Sequence, residues 1–222
     1  MCGRFDLHSE TKVILREFRV DSFSTDYHPS YNIAPSRRIV IIKDDGKKHI
    51  VQCMWGFLPS WVKDPSMANK MINARAETVA EKPAFKDSFR HRRCLVVADG
   101  FFEWRRQGKR KMPVYVRLKS RSPIGFAGIY NTWTSPEGES ICTCAIITTE
   151  ANDLLEPIHD RMPAIIPKDG EDLWLDPHIT EKERLMPLLR PYASEDMEMY
   201  DVSPLVNKPG YDSPEIIIPD KG

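Results

Sequence analysis

The second residue of the chain is a cysteine, in the run Met1-Cys2-Gly3-Arg4-Phe5. Its small side chain permits removal of Met1, and removal leaves Cys2 carrying a free α-amine and a thiol two carbons apart. An α-amine titrates near 7.7–8.0, so a fair fraction is neutral and nucleophilic at about pH 7, whereas a lysine amine, near 10.4, is almost wholly protonated. The thiol, near 8.5, needs only a modest push to become thiolate. Two chemistries are open to such a residue. An aldehyde condenses with the amine to an imine, and the sulfur of the same residue then closes a five-membered thiazolidine, a step helped by proximity. An acyl carbon instead meets the thiolate as nucleophile with the amine as base, as in N-terminal nucleophile hydrolases. A cysteine that merely follows the initiator is the third reading.

Either chemistry needs proton handling, and the chain offers candidates. Glu103 lies in Asp99-Gly100-Phe101-Phe102-Glu103-Trp104, a carboxylate among aromatics. Partial desolvation raises a carboxyl pKa and lets it hold and donate a proton near neutrality. A structural glutamate paired with an arginine is the competing account. His159 sits in Ile158-His159-Asp160-Arg161-Met162-Pro163 and is either a proton shuttle or a structural histidine. Asn73, Arg75 and Glu77 alternate and are expected to share one face of an extended segment, as a convergent polar set or an exposed edge strand. Trp55 reads as core, while Trp61, beyond Pro59, reads as an exposed ring of the kind that stacks on nucleobases.

Charge is uneven along the chain. Residues 1–111 hold 22 Lys and Arg against 13 Asp and Glu, and residues 112–222 hold 10 against 19, although the total is neutral. This asymmetry points to an anionic partner for the first half. The basic residues cluster at 90–93, which precede a strand, and at 105–111, an exposed hairpin turn; a solvated helix end explains the first equally well and a solvated loop the second. With 222 residues, 41% hydrophobic and 29% charged, the chain can bury a sizeable core, and it shows no membrane-length apolar run and no signal-peptide core. A cytoplasmic, monomeric protein is the expectation. Cys53, Cys94, Cys142 and Cys144 lie in apolar runs and read as buried reduced thiols, and their spacing is not that of a structural zinc site.

The elements that must position these groups follow from periodicity. A helix is expected over 9–19 with Ser9 as its cap, an ordered irregular loop over 28–35, and a hairpin of strands 38–43 and 49–55 around Asp44-Asp45-Gly46. A helix over 82–90, strands at 94–98, 113–119, 124–131 and 141–148, and a short helix at 150–158 come next. A strand at 164–166, helices near 169–175 and 180–190, and edge strands at 199–202 and 215–218 complete the chain. The fold class expected is α+β, one domain over 1–222 with a curved, mainly antiparallel sheet core and peripheral short helices.

Taken together, Met1-Cys2-Gly3-Arg4-Phe5, Tyr31-Asn32-Ile33-Ala34-Pro35, Trp55-Gly56, Ile72-Asn73-Ala74-Arg75-Ala76-Glu77-Thr78 and the segments 99–104 and 158–163 resemble the SRAP family, the SOS response-associated peptidases or abasic-site processing proteins. The resemblance spans nearly the whole chain in order. It implies binding of single-stranded DNA that contains an abasic site, with Cys2 joined to the ring-opened sugar through a thiazolidine that shields the lesion. It implies Glu103 as proton donor and acceptor, Asn73 as the group orienting the Cys2 amine and the sugar, and His159 as a proton relay. Arg4, Arg75 and Arg161 are implied to grip flanking phosphates, and Asn32, Pro35 and Trp61 to shape a kinked strand. No cofactor or metal and no obligate protein partner is implied, and the protein would be nucleoid-associated when bound to DNA. Val62 stands where some members carry a second tryptophan. The alternatives are a class II glutamine amidotransferase-like hydrolase, which commonly has a hydrophobic residue at the place of Arg4, and a thiol autopeptidase that removes its own Met1.

Overall fold

Strands are built where the alternation and β-branched residues demand them, and twelve can be followed in the computed structural model, which describes residues 2–20, 26–108 and 110–220. They are β1 (Phe5–Leu7), β2 (Ser30–Ile33), β3 (Arg38–Asp44), β4 (Lys48–Trp55), β5 (Asn73–Arg75), β6 (Arg93–Ala98), β7 (Gly100–Gln107), β8 (Arg110–Leu118), β9 (Ile124–Thr134), β10 (Ser140–Glu150), β11 (Arg161–Pro163) and β12 (Met197–Asp201). Five short helices accompany them: α1 (Thr11–Phe18), α2 (Ala76–Val79), α3 (Lys86–His91), α4 (Glu171–Leu175) and α5 (Lys182–Leu185). The class is α+β with mainly antiparallel sheets, as expected.

The larger sheet runs β11-β10-β4-β3-β6-β9, and β9 also pairs with β10. Strands β10, β4, β3, β6 and β9 therefore close on themselves, which removes the free edges an open sheet would expose. β10 is the hub, for it also carries β5 in parallel and β11 antiparallel. The smaller sheet has the order β12-β8-β7-β1-β2. Between the two sheets lies an aromatic cluster in which Phe5 meets Trp55 at 5.1 Å and Phe126 at 6.0 Å between ring centroids, with Phe101 against Phe126 at 5.9 Å. Burying a ring such as Phe5 contributes roughly 1.5–3 kcal/mol, and here it fixes the chain three residues after Cys2. Trp55 is core, as its apolar strand implied.

Several local expectations are corrected by tertiary partners. Residues 30–33, read as irregular, form a strand because the N–H groups between Pro29 and Pro35 find β1. Ser9 does not cap α1; Glu10 holds that position, and the Ser9 hydroxyl instead donates to Asp99 at 2.5 Å. The helix of 82–90 is regular only over α3. Residues 150–158 make turns about the Asn152 carbonyl rather than a regular helix, and Pro157 gives no N–H to continue one. The strand that follows is β11, earlier than the expected 164–166, where only Ile165 bridges to Phe126. The tail at 214–217 is a 3₁₀ turn, not an edge strand.

Two further readings change. Cys53 and Cys142 are not free thiols but a disulfide, with Cα atoms 4.7 Å apart, because the parallel register of β4 and β10 sets them opposite one another. Cys94 and Cys144 remain buried thiols. Arg93, assigned to a solvated basic cluster, is buried; its guanidinium donates to the carbonyls of Trp174 at 2.7 Å, Phe89 at 2.8 Å and Ile179 at 2.8 Å. Burial pulls its pKa down to about 10, opposed by Asp176. Lys109 of the second cluster lies outside the described residues.

Candidate active site

The antiparallel pairing of β1 and β7 sets Phe5 opposite Phe101 and Asp6 opposite Gly100. The Phe102 N–H donates to the Arg4 carbonyl at 2.9 Å, so the pairing extends back toward Cys2 and brings it alongside Glu103. From the other sheet, β5 hangs on β10 with Asn73 opposite Ile146, and its side-chain amide donates to the Cys2 carbonyl oxygen at 2.8 Å. The turn before β11 delivers His159, which lines one cleft of about 490 Å³ together with Glu103, Trp104, Arg106, Lys111 and Asn207. The four residues expected to carry chemistry thus converge, from β7, from β5, from the turn ahead of β11 and from the chain before β1.

The electrostatics of the four differ. Cys2 is fully buried, and its thiol pKa is pushed well up, first by desolvation and then by the Glu103 charge, against a smaller lowering by the backbone around Arg4 and by the amino-terminal charge. Glu103 is 3% exposed, and burial raises its carboxyl pKa to about 7, while the amino-terminal charge pulls it down and Asp160 pushes it up. A carboxyl at that value exists in both protonation states near neutrality and can give or take a proton. His159 is lowered by burial and by the amino-terminal charge, with Asp160 opposing. Its Nδ1 accepts the Arg161 N–H at 3.0 Å and lies 2.9 Å from an Asp160 carboxylate oxygen. One nitrogen cannot accept from the first and donate to the second at once, so the neutral ring keeps its proton on Nε2 and the cation turns Nδ1–H to Asp160. Asn73 Oδ1 is buried and accepts no hydrogen bond among the described residues.

The residues implied to hold DNA fall into two groups. Arg75 is exposed, with no hydrogen bond or ion pair to another described residue, and Trp61 is 66% exposed. The loop under Trp61 is fixed by Asn131, which donates to the Leu58 carbonyl at 2.7 Å, and by the Trp133 indole N–H, which donates to the Val62 carbonyl at 2.6 Å. Pro35 begins a turn whose next residue, Ser36, takes a φ of 70° and donates its N–H to the Trp55 carbonyl at 2.8 Å. Gly56 completes that junction at a φ of 146°, where a Cβ would meet the Ala68 carbonyl oxygen at 2.9 Å.

The other group is engaged by the protein itself. Arg161 is buried and holds Glu77 through both terminal nitrogens, at 2.5 and 3.1 Å, and also donates to the Thr148 carbonyl. Glu77 does not share an extended face with Asn73 and Arg75, because β5 gives way to α2 at Ala76 and the carboxylate turns to Arg161. Asn32 is buried and donates to the carbonyls of Tyr211 at 2.7 Å and Lys208 at 3.1 Å, tying down the C-terminal segment. Arg4 donates to Asn32 Oδ1 at 2.6 Å and to the Val206 carbonyl at 2.9 Å, and burial lowers its pKa.

Beneath the site, Asp6, His8 and Asp99 bring ligand atoms within 4.8 Å of one another. Their oxygens are already engaged: Asp6 accepts from Tyr115 at 2.9 Å and pairs with His8 at 2.7 Å, and Asp99 accepts the N–H groups of His8 and Ser9 at 2.6 and 2.7 Å. Burial raises Asp6 to about 6, partly offset by the His8 hydrogen bond. This hydrogen-bonded network locks β1 in register. Asn207 gave no signal in sequence, since it acts only through a partner distant along the chain, Trp104 at 2.7 Å, and Glu77, read there with Asn73 and Arg75, is bound instead to Arg161.

A buried cysteine at the second position, set beside a titratable glutamate, an asparagine and a histidine on a closed barrel packed against a second sheet, defines one recognisable class of protein. The chain belongs to the family described as SOS response associated peptidase (SRAP), whose model matches residues 1–209. It is 48% identical to the abasic site processing protein YoqW of Bacillus subtilis over 98% of this chain and 99% of that protein. It is 33% identical to the abasic site processing protein HMCES of Xenopus tropicalis, over 88% of this chain and 67% of that protein. A crystal structure of a protein from Bacteroides thetaiotaomicron superposes with a TM-score of 0.89 at 29% identity, covering 99% of this chain and all of that one.

Proposed function

We propose that this protein processes abasic sites in single-stranded DNA by forming a covalent thiazolidine through Cys2 once Met1 has been removed. The observation that carries the reading is the convergence of Cys2, Glu103 and Asn73, with the Asn73 amide on the Cys2 carbonyl at 2.8 Å and its Oδ1 accepting no hydrogen bond among the described residues. That acceptor suits a hydrogen of the Cys2 amine or a sugar hydroxyl.

The ring-opened sugar presents an aldehyde. Its carbon joins the Cys2 amine nitrogen, the carbinolamine loses water, and an imine results. Glu103, protonated in part near neutrality, supplies the proton that lets hydroxide leave as water. The Cys2 sulfur then attacks the imine carbon, closing the ring, and its proton passes by way of the Glu103 carboxylate to the ring nitrogen. No oxidant or second substrate is needed. A thiol pKa raised by burial favours this order, because the amine reacts first and the thiol ionises only as it attacks a tethered electrophile. His159, lining the same cleft, serves as a relay, with its proton on Nε2 in the neutral form. Arg75 and Trp61 are solvent-facing groups suited to phosphate and base. Action in the cytoplasm, at the nucleoid, as a monomer follows from this reading; among the described residues no helix is long and apolar enough to cross a membrane.

The test mixes protein whose mass shows loss of Met1 with an oligonucleotide bearing one abasic site, followed by denaturing electrophoresis. A slowed covalent species is expected, and it is absent with Cys2→Ala and with a residue added before Cys2. Lack of that species in the processed protein overturns the function. A species that persists when the α-amine is blocked overturns the thiazolidine route.

A further inference from the structure

The hairpin of β7 and β8 holds a pair of cations that the chemistry above does not use. Arg106 and Lys111 are partners in register across the two strands, so their side chains leave the same face of the ribbon. Both are exposed, and neither makes a hydrogen bond or ion pair to another described residue. Neighbouring arginines of the same sheet are neutralised: Arg105 by both carboxylate oxygens of Asp201, and Arg117 by Glu198 at 2.7 Å. Like charges directly opposite on a strand pair are destabilising, and the next pair outward, Gln107 with Arg110, adds a third cation rather than an acid. A hairpin needed only for its turn would be more stable with one of these residues acidic.

Their location gives the repulsion a use. Arg106 and Lys111 line the same cleft as Glu103 and His159, whose wall is completed by Trp104 and by Asn207, which accepts the indole N–H at 2.7 Å. Arg106 is three residues beyond Glu103 on one strand, or about 10 Å at the rise of a β-strand, too far to serve the reacting sugar and within reach of its neighbours. Resting on the function proposed above, we infer that Arg106 and Lys111 form a phosphate clamp that holds the DNA backbone on the hairpin side of the lesion. The bound diester relieves the cation pair, and the clamp sets the path by which the strand leaves the cleft.

The test uses a single-stranded oligonucleotide with a tetrahydrofuran analogue of the abasic site, which has no aldehyde and cannot crosslink. Its binding by full-length protein is followed by anisotropy across a salt series. Arg106→Ala and Lys111→Ala each weaken binding several-fold at low salt and reduce the slope of log K against log salt by about 0.7, the value for one phosphate contact on a single strand. Arg106→Lys keeps the wild-type slope, and Arg90→Ala, in the other basic cluster, leaves it unchanged. Lys111→Glu raises Tm while weakening binding. An unchanged slope in the double variant, with wild type binding normally, overturns the clamp alone, whereas failure of wild type to bind overturns the function on which it rests. A fall in Tm for Lys111→Glu also overturns the assignment.

Discussion

The side chain of Asn73 and the backbone of Cys2 are 71 positions apart and joined by a hydrogen bond of 2.8 Å. That bond crosses between the two sheets: Asn73 is carried by β5 on the closed barrel, and Cys2 leads into β1 of the smaller sheet. Cys2 is therefore held by an element of one sheet and set beside Glu103 of the other, so the geometry of the centre depends on how the sheets pack.

Replacing Asn73 by Ala removes that tie and the open acceptor. The rate of crosslinking in single-turnover gels is expected to fall by about tenfold or more, as the loss of a hydrogen bond to the reacting residue costs on the order of 1–2 kcal/mol. Tm should change by only a few degrees, because Asn73 is partly exposed. A crosslinking rate equal to wild type would remove Asn73 from the mechanism.

Glu103 makes stability depend on pH in a defined direction. Its folded pKa, about 7, lies above the unfolded value, so the folded state holds the extra proton between the two. Stability therefore declines as pH rises from the unfolded pKa toward 7 and then levels off. Glu103→Gln escapes this decline: in thermal melts the variant should exceed wild type at pH 8 and converge with it at about pH 4, while crosslinking slows with little loss of DNA binding. Convergence at pH 8 would show that the carboxyl is not perturbed.

Arg75 and Arg161, two cations of neighbouring motifs, are expected to separate by measurement. Arg75→Ala should leave Tm unchanged and weaken oligonucleotide binding in a salt-dependent way. Glu77→Ala leaves the buried Arg161 guanidinium without its carboxylate. Because Glu77 is 45% exposed, solvent screening limits the cost to about 1–3 kcal/mol, read as a lower denaturation midpoint. A silent Glu77→Ala would show that the pair contributes nothing.

The disulfide of Cys53 and Cys142 closes a loop across 89 positions. Thiol titration of the unfolded, unreduced protein should find the three free cysteines, Cys2, Cys94 and Cys144, and reduction should expose two more. Reduction is expected to lower stability by about 2–4 kcal/mol. Five thiols before reduction would refute the bridge.

The sequence by itself determined the chemistry and much of the architecture. The thiol of Cys2, and the α-amine it carries once Met1 is removed, follow from its position, Asp44-Asp45-Gly46 specifies the turn between β3 and β4, and the apolar runs at 94–98 and 141–148 specify buried strands, because these properties are local. The motif residues Cys2, Asn73, Glu103 and His159 were legible as candidates for the same reason. What only the tertiary structure decided is which polar groups have partners. Arg161, Asn32 and Arg93 look in sequence like any exposed polar residue, yet each is held by carbonyls or a carboxylate brought from elsewhere along the chain. Arg106 and Lys111 look the same and have none among the described residues. Hydrogen bonds and ion pairs act over a few ångströms in space, not along the chain, so their allocation appears only once β10 has closed the barrel and β1 has brought Cys2 against β7.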